Sequence, residues 1–119
     1  MSLSVLLQKV KKIKQAYHLQ NRVEGYKVWR APEYLQGLQG DVGDLAKLVL
    51  ASSGFAFGQK DIDKRISREL ADLLWSVLVL ADEFDVDLEQ EFGRTLQKLE
   101  EKIQDRKAVK PTTRPKRVI

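Results

Sequence analysis

Cysteine is absent from the 119 residues, histidine and methionine occur once each, and proline three times. Without cysteine there is no disulfide, no thiolate nucleophile and no thiolate metal site. With a single imidazole, zinc or haem is a poor match as well, and His18 reads as an ordinary surface or helix-end residue lying away from the acidic motifs. A run of about 18 uncharged apolar residues is also missing. The richest stretch, Leu70 to Ala81, already contains Asp72, so no membrane span and no membrane partner are expected. The N-terminus, MSLSVLLQKVKK, places its apolar residues before its lysines and offers no small-residue cleavage site. A secretory signal is therefore not expected, and the cytoplasm is the default compartment. Strand-like alternation of any length is lacking, and no internal repeat of 20 to 50 residues appears beyond a paired acid motif.

What is present is one domain's worth of helix. At 43% apolar and 32% charged residues the composition is that of a globular chain with a single core. The net charge of +4 is unevenly spread. Residues 106–119 hold six basic side chains and no acid, which leaves 15 basic against 17 acidic, or −2, for the other 105. The reading is a helical domain over 1–105 followed by a basic, Pro- and Thr-containing disordered tail over 106–119. A nucleic-acid-binding fold carries its basic patch in the folded part, so nucleic acid is not the expected partner.

Apolar spacing predicts four helices. The first covers residues 3–20, with Leu3, Leu6, Leu7, Val10, Ile13 and Tyr17 inward and Lys9, Lys11, Lys12 and Lys14 on solvated flanks. Asn21 and Gly25 break it, and Tyr26, Val28 and Trp29 cover the end of the bundle or rim a pocket. Pro32 opens the second helix, with Glu33 at its positive end and Leu35, Leu38, Val42, Leu45 and Val49 at core spacing until Ser52, Ser53 and Gly54. Gly37, Gly40 and Gly43 inside it each cost roughly 1 kcal/mol relative to alanine. They leave room either for a bulky ligand or for another helix. Gly54–Lys60 is a connection whose Phe55 and Phe57 tuck against a neighbouring chain or the bundle end. Asp61 is the expected N-cap of a third helix over 62–84. Its stripe is Ile62, Ile66, Leu70, Leu73, Val77, Leu80 and Phe84, widened by Leu74, Val79 and Ala81. Asp87, with Gln90 three residues on, caps a fourth helix over 88–107 bearing Leu88, Phe92, Leu96, Leu99 and Ile103. The fold class is all-α, a four-helix bundle type.

Two carboxylate pairs stand out. Asp41 and Asp44 lie three apart beside the glycines, and Glu69 and Asp72 lie three apart within the most apolar helix. Residues at i and i+3 point the same way on a helix. Acids in apolar surroundings cost several kcal/mol unless paired, and converging carboxylates raise one another's pKa unless a cation is present. Magnesium, which takes oxygen ligands and keeps waters, suits such a set, with manganese as a substitute. Di-iron bundles need Glu-x-x-His motifs that are missing here.

The segment LQGDVGDLAKLVLA resembles the helix of the MazG-like nucleotide pyrophosphohydrolases that carries an E-E-x-G-E-L motif. RELADLLWSVLVLADEFDVDLEQEF is similar to that family's E-L-x-D helix and the G-[IV]-D-L turn after it. The resemblance covers roughly residues 35–92, and its second half is the more specific. It implies an all-α hydrolase that splits a (deoxy)nucleoside triphosphate into monophosphate and pyrophosphate. It also implies Mg²⁺ on Asp41, Asp44, Glu69 and Asp72, and assembly as a homodimer or homotetramer. Lys47, one turn beyond Asp44, is the leading phosphate contact, set against a plain solvated lysine; Arg94 and Lys98 on the fourth helix are weaker ones. Three departures stand against the family pattern: aspartates replace glutamates on the second helix, shortening reach by about 1.5 Å each; Gly40 stands at the family's preceding acidic position; and the fourth helix lacks the asparagine that family members often have near the phosphates, a contribution that is lost or comes from Gln97. A weakened or inactive member acting as a nucleotide-binding or structural partner is the alternative, and a nucleic-acid adaptor using the basic tail is a third reading.

Overall fold

A computed structural model describes residues 1–54 and 61–108. Four helices follow one another: α1 (Leu3–Glu24), α2 (Ala31–Ser52), α3 (Ile62–Glu83) and α4 (Leu88–Ala108). The all-α expectation holds, with no strand among the described residues, and none of these helices is long and apolar enough to cross a membrane. Met1–Val86 form one compact unit and α4 belongs to a second.

Local chemistry sets the helix ends. Ser2 Oγ accepts from Val5 N at 3.2 Å and opens α1. That helix runs four residues past its expected end, so Asn21 is helical rather than a breaker. Gly25 stops it, with φ 78°. Tyr26 N donates to Asn21 O at 2.8 Å and Gly25 N to Arg22 O at 3.3 Å, the paired closure of a left-handed helix terminus. At the start of α2 the reciprocal bond runs from Arg30 N to Glu33 Oε1 at 3.0 Å, with Pro32 in the first turn. Asp61 does occupy the N-cap position of α3, but in left-handed backbone (φ 54°) with no capping bond from its side chain. Asp85, φ 56°, ends α3 through Val86 N to Ala81 O at 2.8 Å and Asp85 N to Asp82 O at 3.2 Å. Asp87 Oδ1 accepts from Gln90 N at 3.1 Å and caps α4 as expected. Phe55 and Phe57 lie outside the described residues. Arg106 and Lys107 form part of the last turn of α4 rather than a tail; from residue 109 onward the basic stretch lies outside the described residues.

Within the first unit α3 packs along α2 and more briefly against α1. Its buried residues are Ser76, Leu78, Val79 and Ala81, whereas Leu70, Val77 and Phe84 of the expected stripe, and Leu74 beside it, stay exposed. A helix apolar almost all round offers more than one face, and periodicity does not choose between them. On α1 the inward positions are Val10, Lys14 and His18; Ile13 and Tyr17 are exposed. Lys14 is thus not on a solvated flank, and His18 is not a surface residue. Both are held by polar partners that their spacing did not announce. Lys14 Nζ lies 2.5 Å from Asp82 Oδ2 and 3.0 Å from Glu83 Oε2. Arg30 Nε approaches Glu83 Oε1 at 3.1 Å, an ion pair without an aligned hydrogen bond. His18 Nε2 and the Tyr34 hydroxyl share a 3.0 Å hydrogen bond. Burial and the nearby Lys14 charge lower the His18 pKa, and burial with Glu83 raises that of Tyr34, so both are neutral near pH 7.

Candidate metal and nucleotide site

Asp41 and Asp44 project from α2 toward Glu69 on α3. One oxygen from each of the three carboxylates lies within 4.8 Å of the others. Glu69 Oε2 is buried with no hydrogen-bond partner, in a protein whose other buried side chains are mostly satisfied. Its pKa is raised, first by that burial and then by the charges of Asp41, Asp44 and Asp72. An unpaired carboxylate oxygen beside two more acids is what a bound cation relieves. The three carboxylates can therefore hold a divalent metal ion, and an all-oxygen donor set suits Mg²⁺ or Mn²⁺. Asp72 is not among the three; it is exposed and lines an adjoining cleft with Asp41.

That cleft, of about 550 Å³, is walled by Tyr17, Trp29, Tyr34 and Trp75, with Asn21 and Ser76 as polar points. Trp29 meets Tyr34 edge to face, ring centroids 5.7 Å apart. Of the two roles expected for Trp29, it takes the rim of a pocket. A Cβ on Gly37 would touch its indole at 3.7 Å, ordinary contact, whereas among the described residues Gly40 and Gly43 have nothing within 4 Å of theirs. Among the described residues, no helix makes a close approach at those two glycines. A second cleft, about 290 Å³, opens on the other side of the acids and is lined by Asp44, Lys47, Leu48, Arg65, Arg68 and Glu69. Lys47, exposed, is thus beside two of the three clustered acids. Arg94 pairs with Glu91 of its own helix at 2.7 Å, and Lys98 is exposed on the same helix, in the second unit. Sequence reasoning passed over Arg65, Arg68 and Trp75. Their offsets were the available signal: Arg68 adjoins Glu69, Arg65 is one turn before it, and Trp75 follows Asp72 by three.

The chain matches the MazG nucleotide pyrophosphohydrolase domain over residues 32–108. It belongs to the MazG family. The match takes in both acid pairs, α2 from its second residue, and all of α3 and α4, and membership of this family points at a general level to hydrolase activity. No curated protein and no solved structure is similar enough to give a match. In this MazG domain α1 stands outside the matched residues, yet its Tyr17 and Asn21 help to wall the aromatic cleft.

Proposed function

We propose that the protein is a Mg²⁺-dependent nucleoside triphosphate pyrophosphohydrolase, converting (d)NTP and water to (d)NMP and pyrophosphate. The observation that carries the reading is the meeting of Asp41, Asp44 and Glu69 within 4.8 Å around an unpartnered, buried Glu69 oxygen. The aspartate-for-glutamate departures do not pull the acids apart, which supports an active enzyme over a weakened one. Bound there, the divalent ion supplies Lewis-acid polarisation of the phosphate chain and offsets charge on the leaving group.

The remaining work falls to side chains. The water oxygen bonds to the α-phosphorus as the α–β bridging bond breaks, and the bridging oxygen leaves on pyrophosphate. The water's proton passes to a carboxylate, for which exposed Asp72 beside the cluster is the candidate, and then to solvent. The aromatic cleft is suited to a base and sugar, since Trp and Tyr faces provide stacking area. Self-association as a dimer or tetramer is supported by Leu70, Leu74, Val77 and Phe84, a run at 3-and-4 spacing left exposed on a single chain. The cytoplasm is the compartment in which such an enzyme meets its substrate.

The test is pyrophosphate release from a panel of nucleoside triphosphates with Mg²⁺ or Mn²⁺, for the wild type and for Glu69→Gln and Asp72→Asn. Both variants are expected to lose at least two orders of magnitude. Equal release by all three proteins would remove the enzymatic reading.

A further inference from the structure

The aromatic cleft has a floor and a rim. Tyr34 and Ser76 line it and are buried, whereas Tyr17 and Trp29 line it and are exposed. Of the two rim aromatics, Tyr17 is built into α1, but Trp29 is carried by the connection from α1 to α2. That connection is lightly held. Gly25, in left-handed backbone, turns the chain at one end, and Arg30, extended at φ −123°, meets α2 at the other. Among the described residues, the one hydrogen bond made by residues 26–29 runs from Tyr26 N to Asn21 O. Two contacts keep the indole in place: its edge-to-face meeting with Tyr34 and, one residue on, the ion pair between Arg30 Nε and Glu83 Oε1.

The two sides of that ion pair are held unequally. The Glu83 side chain is 4% exposed, and its other oxygen, Oε2, accepts from Lys14 Nζ at 3.0 Å, so the carboxylate is fixed between α1 and α3. The Arg30 side chain is 62% exposed, and its 3.1 Å approach makes no aligned hydrogen bond. A long, solvated side chain drawn to a fixed charge without a directional bond can leave without unmaking the core. Dissolved ions screen an attraction of this kind. Resting on the reading above that this cleft serves the carboxylates, we propose that residues 26–30 are a gate, with Trp29 as its leaf and the Arg30–Glu83 ion pair as its latch. Closed, as in this structure, the indole rests against Tyr34 and shields the floor. Open, the connection turns about Gly25, Arg30 enters solvent, and the floor is reached from outside. Glu83 is then a positioning residue that acts on the cleft through Arg30, and ionic strength sets how often the gate stands open.

The chain has no cysteine, so Ser76→Cys places a single thiol on the floor, and its rate of reaction with an uncharged aromatic disulfide reports opening. The rate is measured on the full chain at neutral pH, below the unfolding midpoint seen by circular dichroism. Adding Trp29→Ala or Arg30→Gln should raise it at least tenfold, and Arg30→Lys should raise it less. Lys27→Gln, a neighbouring exposed cation, should leave it within twofold. Raising sodium chloride from about 0.01 to 1 M, which shortens the screening length from roughly 30 to 3 Å, should speed the Ser76→Cys parent and leave the Arg30→Gln protein unchanged. The salt series on the parent decides the matter even where Arg30→Gln does not fold. The gate is refuted if salt leaves the parent rate within twofold, if a folded Arg30→Gln protein reacts no faster than the parent, if Lys27→Gln accelerates as much as Arg30→Gln, or if Trp29→Ala has no effect. Because the assay contains no nucleotide, a protein that hydrolyses nothing can still show the gate, and a refuted gate leaves the hydrolase reading standing.

Discussion

Replacing Lys14 with methionine tests the polar core most directly. The side chain is 9% exposed and sits between Asp82, 20% exposed, and Glu83, 4% exposed. Methionine keeps the length and the apolar stem but leaves two carboxylates facing a neutral group, with Arg30 the remaining cation near Glu83. Removing one partner from a buried ion pair costs about 3–5 kcal/mol. Because Asp82 can turn toward solvent, the lower figure applies. At roughly 4 °C per kcal/mol for a chain of this size, about 3 kcal/mol lowers the thermal midpoint by about 12 °C. The assay is unfolding followed by circular dichroism, by heat and by urea at fixed protein concentration, with the exposed Lys11→Met as control, expected within about 0.5 kcal/mol of wild type. The pH dependence has a definite sign. Burial alone lowers the Lys14 pKa, but hydrogen bonds to Asp82 and Glu83 and their charges outweigh it and raise it above 10.5. A cation raised on folding adds stability that is fully present below its unfolded pKa and is lost as pH climbs through the folded one. The gap between wild type and Lys14→Met should therefore persist at neutral pH and close only in alkali. A shift of less than about 1 kcal/mol at neutral pH would refute the reasoning.

Gly40→Ala and Gly43→Ala should each stabilise by about 0.5–1 kcal/mol, since an added Cβ meets nothing and helix propensity improves; a lower midpoint in urea would mean that something packs there. Asp85→Gly should raise the thermal midpoint by a few degrees, about 0.5–1 kcal/mol, by relieving the left-handed backbone that ends α3; an unchanged or lower midpoint would count against strain at that turn. Glu69 has its pKa raised in the folded state, so its protonation adds stability as pH falls through that raised value toward 4.5. In EDTA, melts at about pH 5.5 and 7.5 should show the wild type gaining more on acidification than Glu69→Gln, a difference that Mg²⁺ abolishes by holding the carboxylate ionised. Identical pH profiles with and without the ion would contradict a shared cation. Tyr34→Phe should cost about 1–2 kcal/mol by urea unfolding, because His18 loses its buried partner.

The helices were legible because their ends carry local chemistry: a proline in the first turn of α2, an aspartate before α4, a glycine after α1. Asp41, Asp44 and Glu69, which the fold brings together, could be picked out because carboxylates interrupt an apolar pattern; Asp72 of the same spacing does not join them. The inner face of α1 was not. Lys14 and His18 look like solvent residues in sequence, and only the arrival of Asp82, Glu83 and Tyr34 from distant segments makes their burial tolerable. The exposed positions of α3 were misread for a related reason, since hydrophobicity on every side leaves the choice of face to tertiary contact. Arg68 escaped notice because a basic residue beside a glutamate is ordinary on a helix surface, and only the fold brings it to the cleft that Lys47 of another helix also lines.

The bare face at Gly40 and Gly43 bears on motion as well as space. Two amides there have no side chain shielding them from water, in the helix that presents both aspartates. Transient opening of a helix is easiest where glycine enlarges the conformational freedom of the open form, and hydrogen exchange reports such opening. The amides of residues 40–44 should therefore exchange sooner than those around Val79 at the centre of α3. The helix that presents both aspartates thus also has freedom to adjust around whatever it grips.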